Sequence, residues 1–209
     1  MSQAIPELQI FVINLDSRPD RWLNIQKICR QYGIQAQRIS AVRKSPGWHG
    51  CALSHAKCAA LAKERGLPWI LVLEDDCIFS REDWQRFLQL LSYLWTNRDK
   101  WEFFNGGITY VNNFELMDAG QRLMRANGYA AHFILYNDKA YDKIASWTDA
   151  DGPCDVYFDR NFKSVCTYPL IARQMPSHSD IVESTQDYTG FFSSTEEKMR
   201  EFLGNLSLL

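Results

Sequence analysis

No apolar run in this 209-residue chain approaches the ~20 residues that a membrane span requires. The opening MSQAIPELQIFVINL lacks a basic start, an apolar core and a small-residue cleavage site, so no signal peptide and a cytoplasmic location are expected. A basic surplus is missing too. There are 23 Lys and Arg against 25 Asp and Glu, a formal charge of −2, which argues against nucleic acid as a partner. No run of like charges forms a tail. The six cysteines (Cys29, Cys51, Cys58, Cys77, Cys154, Cys166) show no CxxC pairing. Small buried hydrophobes in a reducing compartment are expected, not disulfides or zinc. There is no repeat and no low-complexity linker, and the length suits one domain.

What is present reads as α/β. LQIFVINL (8–15) is a short β-branched run, a buried strand. The following DSRPDRWLNIQKICRQYG has Ser17 as a candidate cap, Pro19 in a first turn, apolar residues at helical spacing and Gly33 as its stop. IQAQRISAV (34–42) completes a βαβ unit. RKSPGWHG is a loop, and CALSHAKCAALAKERG an alanine-rich helix stopped at Gly66. WILVL (69–73) is apolar on both faces, as in a parallel sheet covered by helices. Ser80 and Asp83 resemble a capping box opening the helix REDWQRFLQLLSYLW. Further on, strands are expected at 101–111, 128–137 and 164–173, and helices at 138–147 and 151–162. The segment from 174 to 194 reads mostly as loop, with a terminal helix at 195–203.

The strand WILVL runs straight into Glu74, Asp75 and Asp76. In open α/β sheets ligands bind at the carboxyl ends of strands. Unpaired buried carboxylates are costly, so these three face solvent, pair with cations or hold a metal. Alternation sends Glu74 and Asp76 to one side and Asp75 to the other. Two carboxylates on one side suit a hard cation, Mg²⁺ or Mn²⁺. A solvated acidic turn leading to the Ser80 cap is the competing reading. At the first strand's exit stand Asn14, Asp16, Arg18 and Arg21, able to bond a base or neutralise a phosphate. That loop has no glycine, so it is neither a P-loop nor a GxGxxG turn.

FVINLDSRPDRW, GCALSHAKC and WILVLEDDCIF, in that order, resemble glycosyltransferase family 25. So do YAAHFILYNDKAYDKI, PCDVYFD and YPLIARQMPSHSDI, so that the resemblance runs from about residue 10 to 181. It implies a single GT-A type domain with a Rossmann-like mixed sheet flanked by helices. Residues 1–110 would be the nucleotide-sugar-binding half, and 111–209 the acceptor side and C-terminal segment. It further implies a nucleotide-sugar donor, a UDP-sugar by expectation, Mn²⁺ or Mg²⁺, and an inverting transfer. The acceptor would be a hydroxyl of a glycan or lipooligosaccharide, and a lipid-linked acceptor would bring peripheral membrane contact. Carried over, Asp76 and Glu74 serve the metal, with Glu74 and Asp75 near the donor. Asn14, Leu15, Arg18 and Arg21 lie beside the nucleotide, and Ser54 and His55 belong to the matched helix motif. Arg43 stands where the family commonly has an acid.

An inverting transfer needs a base for the acceptor hydroxyl. Asp155, in the first turn of a predicted helix, is the first choice, and Asp159, one turn on, the second. The competing reading is that Asp155 only complements the helix end. His55 either points at the donor phosphate or packs on the sheet. His132 reads as a hydrogen-bonded core residue, and His49 as loop. His178 would close the metal shell by analogy with other GT-A enzymes, with Asp180 a further late carboxylate. Trp48 and Tyr110 are the candidate sugar-stacking rings. Two alternatives stay open: a catalytically silent glycan- or nucleotide-binding relative, and a phosphoryl- or nucleotidyl-transfer enzyme.

Overall fold

The structure is a computed structural model describing residues 4–181 and 183–209. The first strand β1 (Gln9–Asn14) is followed by helix α1 (Pro19–Tyr32) and strand β2 (Gln37–Ser40). β1 and β2 pair in parallel, so the expected βαβ unit forms. Helix α1 has Pro19 in its first turn and ends at Gly33, whose φ of 70° is the left-handed conformation that glycine adopts at little cost. Helix α2 (Gly47–Glu64) begins four residues before the expected start. Its first turn includes Gly50, where a Cβ would come within 2.3 Å of the Val42 carbonyl oxygen. A glycine that looks like a loop signal is instead the close-packing point of a helix.

Strand β3 (Trp69–Glu74) joins β1 in parallel, but its other neighbour is antiparallel. The expected all-parallel surroundings of WILVL are thus half right. Ile70, Leu71, Val72 and Leu73 are all fully buried, each stabilising the fold by roughly 1.5–3 kcal/mol over an exposed side chain. A two-residue strand β4 (Cys77–Ile78) leads into α3 (Arg81–Thr96) through the predicted Ser80–Asp83 capping box. The segment expected as a strand with a turn at 101–111 yields the short strand β5 (Phe103–Asn105). Residues with no clear pattern form β6 (Glu115–Asp118) and β7 (Leu123–Arg125). Then come β8 (Phe133–Asn137), α4 (Tyr141–Ala145), α5 (Cys154–Asn161) and β9 (Ser164–Thr167).

Two short pieces replace the expected late loop. β10 (Arg173–Gln174) pairs with β4, and β11 (Ser177–Ser179) pairs with β12 (Ser184–Gln186) as a hairpin. Both are polar and too short to show alternation. Helix α6 (Thr189–Asn205) closes the chain, beginning six residues before the expected terminal helix.

The main sheet has the order β2-β1-β3-β8-β5-β9-β7-β6 and is mixed. Strand residues alternate between its faces. Val12, Leu71 and Leu73 meet Ile25 of α1 and Phe87 of α3 on one side. Phe11, Ile13, Ile70 and Val72 meet Ala59 of α2, Ile144 of α4 and Phe158 of α5 on the other. The Rossmann-like mixed sheet flanked by helices is therefore the observed architecture. No helix among the described residues is long and apolar enough to cross a membrane.

Candidate active site

The chain leaves β1 for β2 on one side and later enters β3 on the other. The crevice between the ends of β1 and β3 is thus a topological switch point. A cavity of about 1130 Å³ opens there. Asn14 and Leu15 of the first strand exit, Arg21, and all three acids of the second exit line it. Asp155 at the start of α5 and His178 and Asp180 around the hairpin line it as well. Arg18, His55 and Asp159 are absent from its lining.

Asp75 is buried, and its carboxylate accepts from Asn14 Nδ2 at 2.6 Å and Arg21 Nη1 at 3.0 Å. Burial raises its pKa, and these two partners only partly offset it. Asp76 Oδ2 lies 3.4 Å from the same Arg21 nitrogen, while its Oδ1 is buried without a protein partner. Burial and the neighbouring Glu74 push the Asp76 carboxyl up to about 7 against the pull of Arg21. Glu74 turns toward α2, where its Oε1 is 3.1 Å from His55 Nε2 and 3.4 Å from the Cys51 sulfur. Burial would raise the Glu74 pKa, but His55 outweighs it and holds the carboxyl low. The alternation expected from sequence is incomplete because the chain turns at 75–76, letting Asp75 and Asp76 share Arg21.

Arg21 is not free to meet a ligand. Its Nη2 donates to Ser177 Oγ and the His178 carbonyl, both at 2.7 Å, so one guanidinium joins α1, the acid turn and the hairpin. Asn14 is similarly engaged: besides bonding Asp75, its Oδ1 accepts from Arg38 at 2.9 and 2.7 Å. Nothing in the sequence sets Arg38 apart as a site residue. Arg18 pairs with Asp20 at 3.0 Å and Asp180 at 2.5 Å, pinning the hairpin. Among cations, Arg43 and Lys44 are exposed at the cavity.

In α2, Ser54 has no exposed surface: its hydroxyl donates to the Gly50 carbonyl at 2.6 Å and accepts from Val42 N–H at 2.8 Å. It anchors the loop before the helix. His55, also fully buried, pairs through Nδ1 with the Tyr136 hydroxyl and through Nε2 with Glu74. Burial disfavours its charge, yet Cys51 and Glu74 raise it to about 9. Cys51 and Cys154 do not sit apart as separate small hydrophobes. Their sulfurs are 3.3 Å from each other. No CxxC spacing announces the pair, since the residues lie 103 positions apart.

Asp155 Oδ1 accepts from the Val156 N–H at 3.0 Å. Burial and the Glu74 charge leave its pKa raised, so the helix end does not dominate as expected. His178 is exposed on β11. Glu74, Asp76 and His178 do not form a close donor cluster; among the described residues, that arrangement occurs at Cys51, His55 and Cys154. His132 is fully buried as a core residue; the Ala172 backbone is near enough to favour its charged form, but neither ring nitrogen makes a hydrogen bond of good geometry. Burial lowers its pKa to about 4. His49 and Trp48 pack with Trp147. Tyr110 is 51% exposed at the cavity, its ring 4.7 Å from Phe191 and 5.5 Å from Tyr129.

Among solved structures, a glycosyltransferase involved in the glycosylation of the major capsid of PBCV-1 is 9% identical. It has a TM-score of 0.41, with 66% of this chain covered and 64% of that one. This chain thus spans less than two thirds of that protein's length. A mannose-1-phosphate geranyltransferase from Thermus thermophilus is 8% identical at TM-score 0.41, covering 77% and 73%. A cytidylyltransferase from Leptospira borgpetersenii is 15% identical at TM-score 0.39, covering 95% and 77%. Comparison with curated proteins gives no match. Residues 45–143 match the family described as "Glycosyltransferase family 25 (LPS biosynthesis protein)". That stretch holds GCALSH, the three acids and YAAHFILYN, the middle of the resemblance seen in the sequence, so the family match and the sequence motifs point to the same family.

Proposed function

We propose that the protein is a metal-dependent, inverting glycosyltransferase of GT-A type. It would move a hexose from a UDP-sugar to a hydroxyl of a glycan or lipooligosaccharide-type acceptor. One sheet takes strands from both halves of the chain, which supports a single catalytic domain. A lipid-linked acceptor would bring the enzyme to a membrane surface without a span.

The observation that carries this reading is Asp76. Its Oδ1 is buried without a hydrogen bond in a cavity at the sheet's switch point, and burial and the Glu74 charge disfavour the ionised form against the opposite pull of Arg21 and Gln174, a balance that a bound cation would tip. An oxygen so placed fits Mn²⁺ or Mg²⁺, which favour oxygen donors. Asp76 would hold the cation, with His178 a late histidine elsewhere on the cavity wall. When bound, such a cation stabilises negative charge on a departing diphosphate.

The chain's own residues do the rest. Arg21 and Asn14 brace the acid turn from the cavity wall, so the binding geometry is set before the donor arrives. Arg43 and Lys44 present positive charge to a diphosphate at the cavity. Asp155 accepts the proton of the acceptor hydroxyl. Its raised pKa brings it nearer the working pH than an ordinary aspartate, as general-base catalysis favours. Tyr110 offers a ring face to an acceptor sugar.

A screen of UDP-sugars for released nucleoside diphosphate, with and without Mn²⁺, tests the reading. Release that depends on Mn²⁺ supports it. Binding without release would point to a silent relative. Release of pyrophosphate would point to nucleotidyl transfer.

A further inference from the structure

Behind the proposed donor site, α2, the end of β3 and the start of α5 bring thiols, an imidazole and a carboxylate together. Cys51 and His55 are four residues apart on α2 and share a face. The ligand atoms of Cys51, His55 and Cys154 all lie within 4.8 Å of one another. Glu74 Oε1 is 3.1 Å from His55 Nε2 and 3.4 Å from the Cys51 sulfur, and the two sulfurs are 3.3 Å apart. We propose that Cys51, His55 and Cys154 form a zinc site with Glu74 as the fourth donor.

The separations lie within about half an ångström of that arrangement, so small side-chain shifts would complete it. Around a tetrahedral zinc, with Zn–S about 2.3 Å and Zn–N or Zn–O about 2.0 Å, neighbouring donors lie roughly 3.3–3.8 Å apart. A disulfide would need its sulfurs about 2.05 Å apart. Tyr136 takes the Nδ1 side of His55, which leaves Nε2 facing Glu74 and the thiols and fixes the ring, as outer partners of zinc-bound histidines do. Two thiolates and an imidazole prefer Zn²⁺ to Mn²⁺ or Mg²⁺, so this site is chemically distinct from the oxygen site at Asp76. Cys51, Cys154 and Glu74 line the cavity, giving the ion a way in. Binding would displace the two thiol protons and the Nε2 proton that His55 shares with Glu74.

The zinc would tie three elements together immediately beside Asp155, making Cys154 a positioning residue for that group. Only this last consequence rests on the glycosyltransferase mechanism proposed above; the metal site stands on its own residues.

The test is metal content and cobalt spectroscopy, which do not involve sugar turnover. Protein purified under reducing conditions should carry about one zinc per chain by elemental analysis. Cobalt added to the zinc-free protein should give a thiolate-to-cobalt charge-transfer band. Cys154→Ser and Cys51→Ser should lose the band, and Cys166→Ser, a buried cysteine elsewhere, should keep it. Tyr136→Phe should weaken zinc binding about 10–100-fold. If a site variant fails to fold, the wild-type cobalt spectrum still decides. No charge-transfer band in the reduced wild type, an unchanged band in Cys154→Ser, or a Cys51–Cys154 disulfide in the purified protein would overturn the proposal.

Discussion

Arg21 shows how one side chain organises the site. It meets two carboxylates on one side and the β11–β12 hairpin on the other, with about a tenth of its side chain exposed. Removing it would leave Asp75 and Asp76 facing each other without a counter-charge. Arg21→Met should therefore destabilise the fold by about 3–5 kcal/mol in urea denaturation. A loss below about 1 kcal/mol would mean that water or a bound cation already balances the acids. Asp155 offers a different contrast because its proposed role is chemical. Asp155→Asn should lower transfer about 10²–10⁴-fold while leaving UDP-sugar affinity nearly unchanged in a calorimetric titration. Loss of donor affinity instead would make Asp155 a donor contact.

Among the elements, α3 is anchored by its capping box. Ser80 Oγ accepts from the Asp83 N–H at 3.1 Å, and Asp83 Oδ2 accepts from the Ser80 N–H at 3.1 Å. Ser80→Ala should cost about 1 kcal/mol of stability, measured by thermal or urea unfolding. Burial would raise the Asp83 pKa, but Arg86 and Ser80 outweigh it and lower it from the ordinary 3.8. A lowered folded-state pKa gives stability that is present above the unfolded value and lost as pH falls through the folded one. Asp83→Asn should thus be less stable than wild type near neutral pH, and the gap should close as pH falls below the ordinary 3.8. A gap that persisted at low pH would assign the effect to shape rather than charge. This helix was legible in the sequence because its cap and its apolar spacing agree. β1, α1 and β2 were legible from their apolar runs and from Pro19 and Gly33 at the two ends of α1, although α1 has no side-chain cap. The β11–β12 hairpin was not legible: its six strand residues are polar, and Arg18 and Arg21, some 160 positions earlier, hold it.

For the molecule as a whole, the sheet order puts two strand exits side by side, and both carried recognisable polar residues. The acids and Asn14 could therefore be nominated from sequence. Their division of labour could not. Which acid turns toward α2 and which shares Arg21 depends on a turn and on distant partners. The meeting of Cys51 with Cys154 likewise depends on how α5 packs against α2, and no local pattern encodes it. On this reading the buried Oδ1 of Asp76, which has no hydrogen bond, serves a cation that the donor requires. The most direct measurement compares Mn²⁺-dependent release of nucleoside diphosphate from a UDP-sugar by wild type and Asp76→Asn, with folding of both checked by thermal melting. The variant should fold and lose metal-dependent release. A folded variant that keeps full release would contradict it.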